Sequence, residues 1–145
     1  MRKFEKCTNF EHAKLPTRAD PGSAGYDFYN LEELIVMPGE TVIVQTGIKA
    51  NMQPNEVLLL YIRSSIGIKR HCVLANGTGV IDSTYYNNPD NEGNICLALT
   101  NVGRTVQIFK PGERLMQGVF VNFLTTDDDK PLSETRLGGI GSSGQ

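Results

Sequence analysis

Hydrophobic residues in this chain occur in short runs that are separated by proline- and glycine-containing turns. The turn signals recur along the sequence, at Pro21-Gly22, Pro38-Gly39, Pro54-Asn55, Pro89-Asp90 and Pro111-Gly112. The runs between them are rich in Val, Ile and Leu, which is typical of buried or half-buried β-strands. We therefore predict strands at residues 34–37, 41–46, 57–62, 72–74, 80–81, 95–99, 106–109 and 115–124.

Helical signals are scarce by comparison. The best candidate is one or two turns around residues 64–70, with Ser64 or Ser65 as the N-cap. A series of short strands separated by turns indicates an all-β sandwich or barrel. The glycine- and serine-rich stretch 138–144 cannot build a core element, and on its own it indicates a floppy terminus or a linker.

Length and charge narrow the function classes. The chain has 145 residues, with 14 Lys and Arg against 16 Asp and Glu, which predicts one domain of near-neutral charge. Binding to a nucleic acid polymer requires clustered positive charge, so we expect no such partner. No apolar run approaches the roughly 20 residues that cross a bilayer, and the N-terminus lacks the apolar core of a signal peptide. We expect no membrane partner and a cytoplasmic location.

Two polar segments in the first half of the chain are candidates for chemistry. Asp27 lies between two aromatic residues and close to a glycine, and the segment alone is best interpreted as a turn carboxylate. Arg63, Ser64 and Ser65 follow a buried-type strand and open the predicted helix. A guanidinium, two hydroxyls and backbone N–H groups would suit a phosphate, although an ordinary helix cap fits the pattern equally well.

Two further segments lie in the second half. A glycine-rich turn from Asn76 to Gly79 leads to Asp82 and then to Tyr85, so a carboxylate that could activate a water would lie near a ring that could stack on a base or sugar. By itself this segment fits a hairpin with a surface Asp. Arg136 and the glycine- and serine-rich residues after it offer phosphate ligands, but the Walker P-loop pattern is absent from the sequence.

Taken in order, these segments resemble the five motifs of the homotrimeric dUTPase family. The resemblance extends from about residue 15 to the end of the chain, and five motifs in order are far more specific than any one of them. The motifs read Ala24-Gly25-Tyr26-Asp27-Phe28, Arg63-Ser64-Ser65-Ile66-Gly67, Gly79-Val80-Ile81-Asp82-Ser83-Thr84-Tyr85, Gly112-Glu113-Arg114-Leu115-Met116-Gln117 and Arg136-Leu137-Gly138-Gly139-Ile140-Gly141-Ser142-Ser143-Gly144.

The resemblance implies a fold, an assembly and a reaction. The expected fold is a jelly-roll-like β-barrel with at most one short helix, formed by a single domain over residues 1–145. Residues 126–145 are expected to form a mobile arm that closes over the active site. The expected assembly is a homotrimer with shared active sites. The implied reaction converts dUTP and water to dUMP and pyrophosphate, with Mg²⁺ on the triphosphate, which lowers dUTP and supplies dUMP for thymidylate synthesis.

The resemblance also implies roles for individual residues around the nucleoside. Asp82 would orient and activate the water that attacks the α-phosphorus, and Tyr85 would pack under the deoxyribose, where a ribose 2′-hydroxyl would clash. The uracil would be read beside Asn76 by strand backbone, which can select it over cytosine because mismatched buried polar groups are costly. The expected uracil-site residues are Asn76, Gly79, Val80, Ile81 and Cys96.

A second group of residues would hold the phosphates. Within the body of the domain these are Arg63, Ser64, Ser65 and Gln117. Asp27 would support the metal-phosphate end indirectly, through water. In the arm, the resemblance assigns γ-phosphate contacts and a cover for the base to Arg136, Ile140, Ser142 and Ser143.

The sequence departs from the family pattern at several places, including one residue fewer between Arg136 and the Gly pair of the arm than many members have. Ile140 occupies the position of a Phe that usually stacks on the uracil, so weaker closure or slower turnover is expected. Ser65 replaces a usual Gly. Residues 86–93 look like an insertion that could rim the site, contact a neighbouring chain or serve a regulatory protein partner.

Two alternative functions stay open. The related dCTP deaminases share an Arg-Ser-Ser motif but need a Glu on the strand after the third motif, where this chain has Ala98, so deamination is disfavoured. A non-catalytic, regulatory protein-binding member of the fold is the second alternative. The presence of both Asp82 and Tyr85 favours catalysis over it.

Overall fold

The computed structural model describes residues 1–133. Within this range the chain forms β1 (Lys3–Lys6), β2 (Tyr26–Tyr29), β3 (Leu34–Val36), β4 (Thr41–Gln45), β5 (Ile48–Asn51), β6 (Glu56–Ile62), α1 (Ser64–Arg70), β7 (Cys72–Leu74), β8 (Gly79–Asp82), β9 (Cys96–Asn101), β10 (Gln107–Phe109) and β11 (Arg114–Asn122). A single 3₁₀ turn, Ser83–Tyr85, follows β8. The expectation of a mainly β protein with one short helix is confirmed.

Three strands were not predicted from the hydrophobic pattern, because each contains at least one charged residue that interrupts it. They are β1, β2 and β5. The interpretation of Asp27 as a turn residue is therefore wrong, because Asp27 lies within β2 and pairs with Thr17 through two main-chain hydrogen bonds. The predicted N-cap is also wrong. Arg63 is the N-cap of α1, it makes no side-chain capping bond, and the two serines already lie inside the helix.

The strands form four antiparallel sheets within the described residues. The largest has the order β2-β11-β6-β8, a second has the order β4-β9-β7, and two two-stranded sheets pair β1 with β5 and β3 with β10. Aliphatic and aromatic side chains from all four sheets share one core, in which the largest fully buried residues include Phe28, Leu58, Leu99, Phe109 and Met116. None of the helices in the described range is long and apolar enough to cross a membrane.

Strand β6 sets the positions of the candidate motifs. It pairs with β8 so that Leu60 lies opposite Gly79 and Val57 lies opposite Asp82. Arg63 directly follows the other end of the same strand. Arg63 lies six residue steps beyond Val57, and a strand rises by about 3.3 Å per residue, so Asp82 and Arg63 lie about 20 Å apart along the sheet.

The turn between β4 and β5 depends on a glycine. Gly47 is buried and has a φ of 71°, a conformation that residues with a side chain rarely adopt. A Cβ atom at this position would lie 2.5 Å from the Phe10 ring. Gly39 has a similar φ of 80°, but a Cβ there would meet no atom within 4 Å.

This pair of glycines allows steric crowding to be separated from backbone strain. Gly39→Ala should lower the free energy of unfolding by about 1–2 kcal/mol, the cost of the left-handed conformation alone. Gly47→Ala should cost about 1–3 kcal/mol more, because the added methyl group overpacks against Phe10. Urea denaturation at one fixed protein concentration measures both. Equal losses for the two variants would contradict the contact of Gly47 with the ring.

Candidate active site

A cavity of about 460 Å³ lies beside β8 and gathers most of the predicted nucleoside-binding residues. Its size falls within the range of small-molecule sites. The lining is mainly apolar, and Asp82 is the only carboxylate among the described residues that form it. The predicted residues that line the cavity are Asn76, Gly79, Val80, Ile81, Asp82, Tyr85 and Cys96. The sequence motifs therefore converge on one place, although they are separated along the chain.

One wall of this cavity is formed by an edge strand. Strand β8 is the last strand of its sheet and hydrogen-bonds to β6 on one side. Alternate backbone groups of an antiparallel strand point to opposite edges, so the outer edge of β8 presents N–H and C=O groups that its sheet does not use. Val80 is 60% exposed. This edge offers a fixed donor and acceptor pattern to a planar, hydrogen-bonding ligand.

The positions of Asp82 and Tyr85 follow from the end of β8, where the chain passes from a strand into a 3₁₀ turn. Asp82 is the last residue of β8 and is partly exposed, so its carboxylate lies at the end of the cavity wall. The turn then folds Tyr85 inward until only 6% of it is exposed. The Tyr85 hydroxyl donates to the Asn94 carbonyl at 3.0 Å and accepts from Asn91 Nδ2 at 2.8 Å. Tyr85 therefore contributes a fixed ring to the cavity.

Cys96 contributes a neutral wall. It lies at the start of β9 and its thiol is partly exposed within the cavity lining. Burial raises the pKa of Cys96 above its ordinary value. The same effect raises the pKa of Cys7 to about 11. Since the thiolate is the nucleophilic form, both residues are protonated at neutral pH and Cys96 is suited to packing against a ligand.

A separate cleft of about 410 Å³ gathers positive charge. It is lined by Arg63, Ser65, Ile66, Lys69, Arg70, Gly112, Glu113 and Arg114. Ser64 is exposed at the first position of α1. The cleft therefore combines guanidinium groups, an ammonium group and the Ser65 hydroxyl, with Ser64 beside it, which are the donors that bind phosphate.

Asp27 organises the arginines of this cleft. Its side chain is only 12% exposed, and its two oxygens lie 3.3 Å from Arg63 Nε and 3.3 Å from Arg114 Nη1. Arg63 also donates to the Arg114 carbonyl at 3.1 Å. A carboxylate that is shared in this way aligns the two guanidinium groups and offsets their mutual repulsion.

Gln117 is brought to the same cluster by strand pairing. It lies in β11 directly opposite Asp27 in β2. Gly25 makes room for it, since a Cβ atom on Gly25 would lie 2.5 Å from Gln117 Oε1. The first, second and fourth motifs thus meet around Asp27. The third motif begins near them, with Gly79 opposite Leu60, but its last strand residue, Asp82, lies about 20 Å from Arg63 along the sheet.

Comparison with known proteins identifies the family. The family model described as dUTPase matches residues 11–144. The deoxyuridine 5′-triphosphate nucleotidohydrolase of Lactococcus lactis subsp. lactis is 44% identical over 147 residues, which cover 99% of this chain and 98% of that protein. The chain belongs to the dUTPase family. The family resemblance inferred from the five motifs is confirmed.

Solved structures of dUTPases agree with this assignment. The crystal structure of dUTPase from Streptococcus mutans has a TM-score of 0.79 and 43% sequence identity, covering 86% of this chain and 98% of that one. The dUTPase of Staphylococcus bacteriophage 80alpha has a TM-score of 0.75 at 20% identity, covering 92% of this chain and 97% of that one. At that identity the phage protein supports the shared fold alone.

One residue of the arginine cluster was not predicted from the sequence, and the predicted arm residues fall outside residues 1–133. Arg136, Ile140, Ser142 and Ser143 lie outside the described residues. Arg114 was not singled out, because the alternation of a regular strand places it on the opposite face from Gln117. A β-bulge between Arg114 and Met116 adds one residue and turns both side chains to the same face, where they lie opposite Tyr29 and Asp27.

Because Asp27 pairs with two arginines, we expect the stability of the fold to depend on its negative charge. Asp27→Asn leaves the shape unchanged but removes the charge that two guanidinium groups share, so the free energy of unfolding should fall by about 1–3 kcal/mol. The matched control is Glu33→Gln. It removes the exposed partner of Lys110, a pair whose side chains are 67% and 48% exposed, and should cost less than about 1 kcal/mol. Chemical denaturation measures both. An equally small effect of Asp27→Asn would refute its organising role.

Proposed function

We propose that this dUTPase-family chain hydrolyses dUTP to dUMP and pyrophosphate, with Asp82 as the residue that activates water. The observation that carries the proposal is the cavity beside the edge strand β8. Among the lining residues that the structure describes, Asp82 is the one carboxylate, and the buried Tyr85 supplies an aromatic ring. Family membership supports the substrate, since 44% identity extends over nearly the whole of a curated deoxyuridine 5′-triphosphate nucleotidohydrolase.

The base is recognised by the outer edge of β8. Uracil presents a fixed pattern of one N–H and two C=O groups, and the outward-pointing backbone groups of β8, on alternate residues around Val80 and Ile81, offer complementary groups at the cavity wall. Asn76 lies at the same wall, and Cys96 packs against the base as an uncharged surface. A cytosine would place a donor against a backbone donor. That mismatch leaves buried polar groups unpaired, which costs about 1–3 kcal/mol each.

The sugar packs on the ring of Tyr85. Both hydrogen-bonding capacities of the Tyr85 hydroxyl are used by Asn91 and Asn94, so the residue acts through its ring surface. A ring held in this way excludes the 2′-hydroxyl of a ribonucleotide by contact. The selection of deoxyribose is therefore steric.

Hydrolysis proceeds by attack of one water on the α-phosphorus. Asp82 accepts a proton from the water as its oxygen bonds to phosphorus, and the bond to the oxygen that bridges the α- and β-phosphates breaks. Pyrophosphate leaves with that oxygen. Arg63, Gln117 and the serines at the start of α1 hold the phosphates and neutralise their charge, which lowers the barrier to transfer.

Magnesium enters with the substrate as Mg²⁺-bound dUTP. The described residues contain no group of three or more His, Cys, Asp or Glu side chains that could hold a metal ion by themselves. Both oxygens of Asp27 are engaged by arginines, so Asp27 supports the metal-phosphate end only through the groups it aligns or through water. This donor set fits a metal whose main ligands are the triphosphate oxygens. Bound there, the metal would withdraw charge from the phosphates.

The working form of the protein is a homotrimer with shared active sites. Asp82 and Arg63 of one chain lie about 20 Å apart along β6, whereas the phosphorus atoms of one triphosphate are separated by single bridging oxygens. One nucleotide therefore needs Asp82 from one chain and Arg63 from another. Residues 124–133 follow β11 and are exposed throughout, which suits a segment that leaves the body of its own domain toward a neighbour. The arm, residues 126–145, would close a site with Arg136, Ser142 and Ser143.

Deamination of dCTP is disfavoured by the cavity lining. Ala98 lies in the wall, at the position where a deaminase needs a Glu to shuttle protons. Asp82 is the only carboxylate among the lining residues that the structure describes. Hydrolysis by one activated water is the chemistry that this arrangement supports.

The proposal predicts a substrate and variant profile for pyrophosphate release. The wild-type protein with Mg²⁺ should hydrolyse dUTP much faster than dTTP, dCTP or UTP, and dCTP should release no ammonia. Asp82→Asn should lower kcat by at least about 100-fold, because it removes the general base while keeping the side-chain shape. Equal rates with dUTP and UTP, or full activity of Asp82→Asn, would contradict the mechanism.

A further inference from the structure

The segment that follows Tyr85 is folded against that residue. Residues 86–93, which connect the 3₁₀ turn toward β9, are called the 86–93 loop below. We propose that this loop is a brace for the Tyr85 ring, with Asn91 as a positioning residue for the selection of deoxyribose over ribose. The inference rests on the proposed function, because it deepens the role of Tyr85 in binding the sugar.

Asn91 holds the far end of the Tyr85 ring. Its Nδ2 donates to the Tyr85 hydroxyl at 2.8 Å, and that hydroxyl donates in turn to the Asn94 carbonyl at 3.0 Å. Tyr85 is 6% exposed; its bond to the Asn94 carbonyl is buried, and its bond from Asn91 is partly buried. Two fixed partners at the tip of a ring determine both its tilt and its depth.

The same side chain also folds the loop. Asn91 Oδ1 accepts from Asn88 Nδ2 at 2.7 Å and from the backbone N–H of Gly93 at 3.0 Å. Asn88 Nδ2 also donates to the Tyr85 carbonyl at 2.8 Å, and Asn88 is buried. Hydrogen bonds thus run from the Tyr85 backbone through Asn88 and Asn91 back to the Tyr85 hydroxyl. The two ends of the Asn91 amide therefore have different roles: the oxygen bonds within the loop, and the nitrogen bonds to the Tyr85 ring hydroxyl.

Close packing supports the same arrangement. Gly93 has a φ of 88°, and a Cβ atom there would lie 2.8 Å from the Tyr85 carbonyl oxygen. The loop backbone therefore rests directly on the backbone of Tyr85. Only glycine fits this approach.

The loop is anchored to the body of the protein at its other side. Lys49 is buried in β5, and its Nζ donates to Asn87 Oδ1 at 2.6 Å and to Glu92 Oε1 at 3.2 Å. Glu92 also accepts from the backbone N–H and the hydroxyl of Thr8, both at 2.7 Å. These bonds from Thr8, together with Lys49, hold the pKa of Glu92 below its ordinary value. The brace is therefore fixed to β5 and to the segment after β1.

A ring that excludes a 2′-hydroxyl must hold its position to within a fraction of an ångström. Misplacement by about 1 Å is enough to cost large factors in an active site. If the ring could retreat, the cavity would accept the extra oxygen of a ribose. The bonds around Asn91 prevent that retreat. The side chains of Asn87, Asn88, Asn91 and Glu92 are engaged in this network, which favours a bracing role over the docking of a protein partner.

The decisive variant is Asn91→Asp. It keeps an oxygen for Asn88 and Gly93 but removes the N–H that reaches Tyr85, and its carboxylate would compete with the Asn94 carbonyl for the single phenol proton. The measured quantity is kcat/KM for dUTP divided by kcat/KM for UTP. This ratio should fall by about fivefold, the effect of losing one hydrogen bond that fixes the ring. Should Asn91→Asp not fold, Asn91→Ser is measured in the same way.

Two further measurements separate positioning from general stability. In the Tyr85→Phe background the hydroxyl is absent, so Asn91→Asp should change the ratio no further. Thr8→Val removes an anchor of the loop without touching Tyr85, and it should lower Tm while leaving the ratio unchanged. An unchanged ratio in Asn91→Asp, or an equal loss in the Tyr85→Phe background, would overturn the inference. Failure of the wild-type protein to hydrolyse dUTP would instead overturn the proposed function.

Discussion

The antiparallel pairing of β6 is the constraint on which the site depends. On one side β6 pairs with β8, which places Asp82 opposite Val57 and leaves β8 at the edge of the sheet. On its other side β6 pairs with β11, which carries Gln117. Arg63 then follows the end of β6 directly. One strand therefore separates Asp82, which we propose to activate water, from Arg63, which we propose to bind phosphate. The same pairing leaves the outer edge of β8 unpaired by its own sheet, where it can hydrogen-bond to a base.

The distribution of charge follows the same division. The chain is nearly neutral as a whole, yet Arg63, Arg70, Arg114 and Lys69 line one cleft. Asp27 keeps Arg63 and Arg114 aligned in the absence of substrate, so their geometry does not have to be organised when a triphosphate arrives. The cavity beside β8 is mostly apolar instead, which suits a base and a deoxyribose. The chain therefore carries two chemically different clefts, and in the proposed trimer one nucleotide would use both kinds, taken from different chains.

Sequence reasoning recovered the features that depend on local composition. Turn residues and β-branched runs predicted β6, β7 and β9 closely, and the order of five motifs predicted the family. What it could not predict depends on contacts between distant segments. The charged Lys49 makes the sequence of β5 look unlike a buried strand. Its ammonium group can be buried only because Asn87 and Glu92 of the 86–93 loop accept its hydrogen bonds. The β-bulge before Met116 reverses the apparent face of Arg114, and the bond from Asn91 to Tyr85 has no signature in spacing.

The central claim is that one nucleotide requires Asp82 and Arg63 from different chains, and mixed oligomers test it most directly. Asp82→Asn and Arg63→Ala chains, each nearly inactive alone, are co-refolded in equal amounts and assayed for dUTP hydrolysis. Shared sites predict recovery toward about one quarter of wild-type activity, because that share of sites takes both intact residues from different subunits. A mixture of Asp82→Asn with Tyr85→Ala, whose residues line the same cavity, should recover nothing. Activity of the first mixture no greater than the average of its two components would contradict the account.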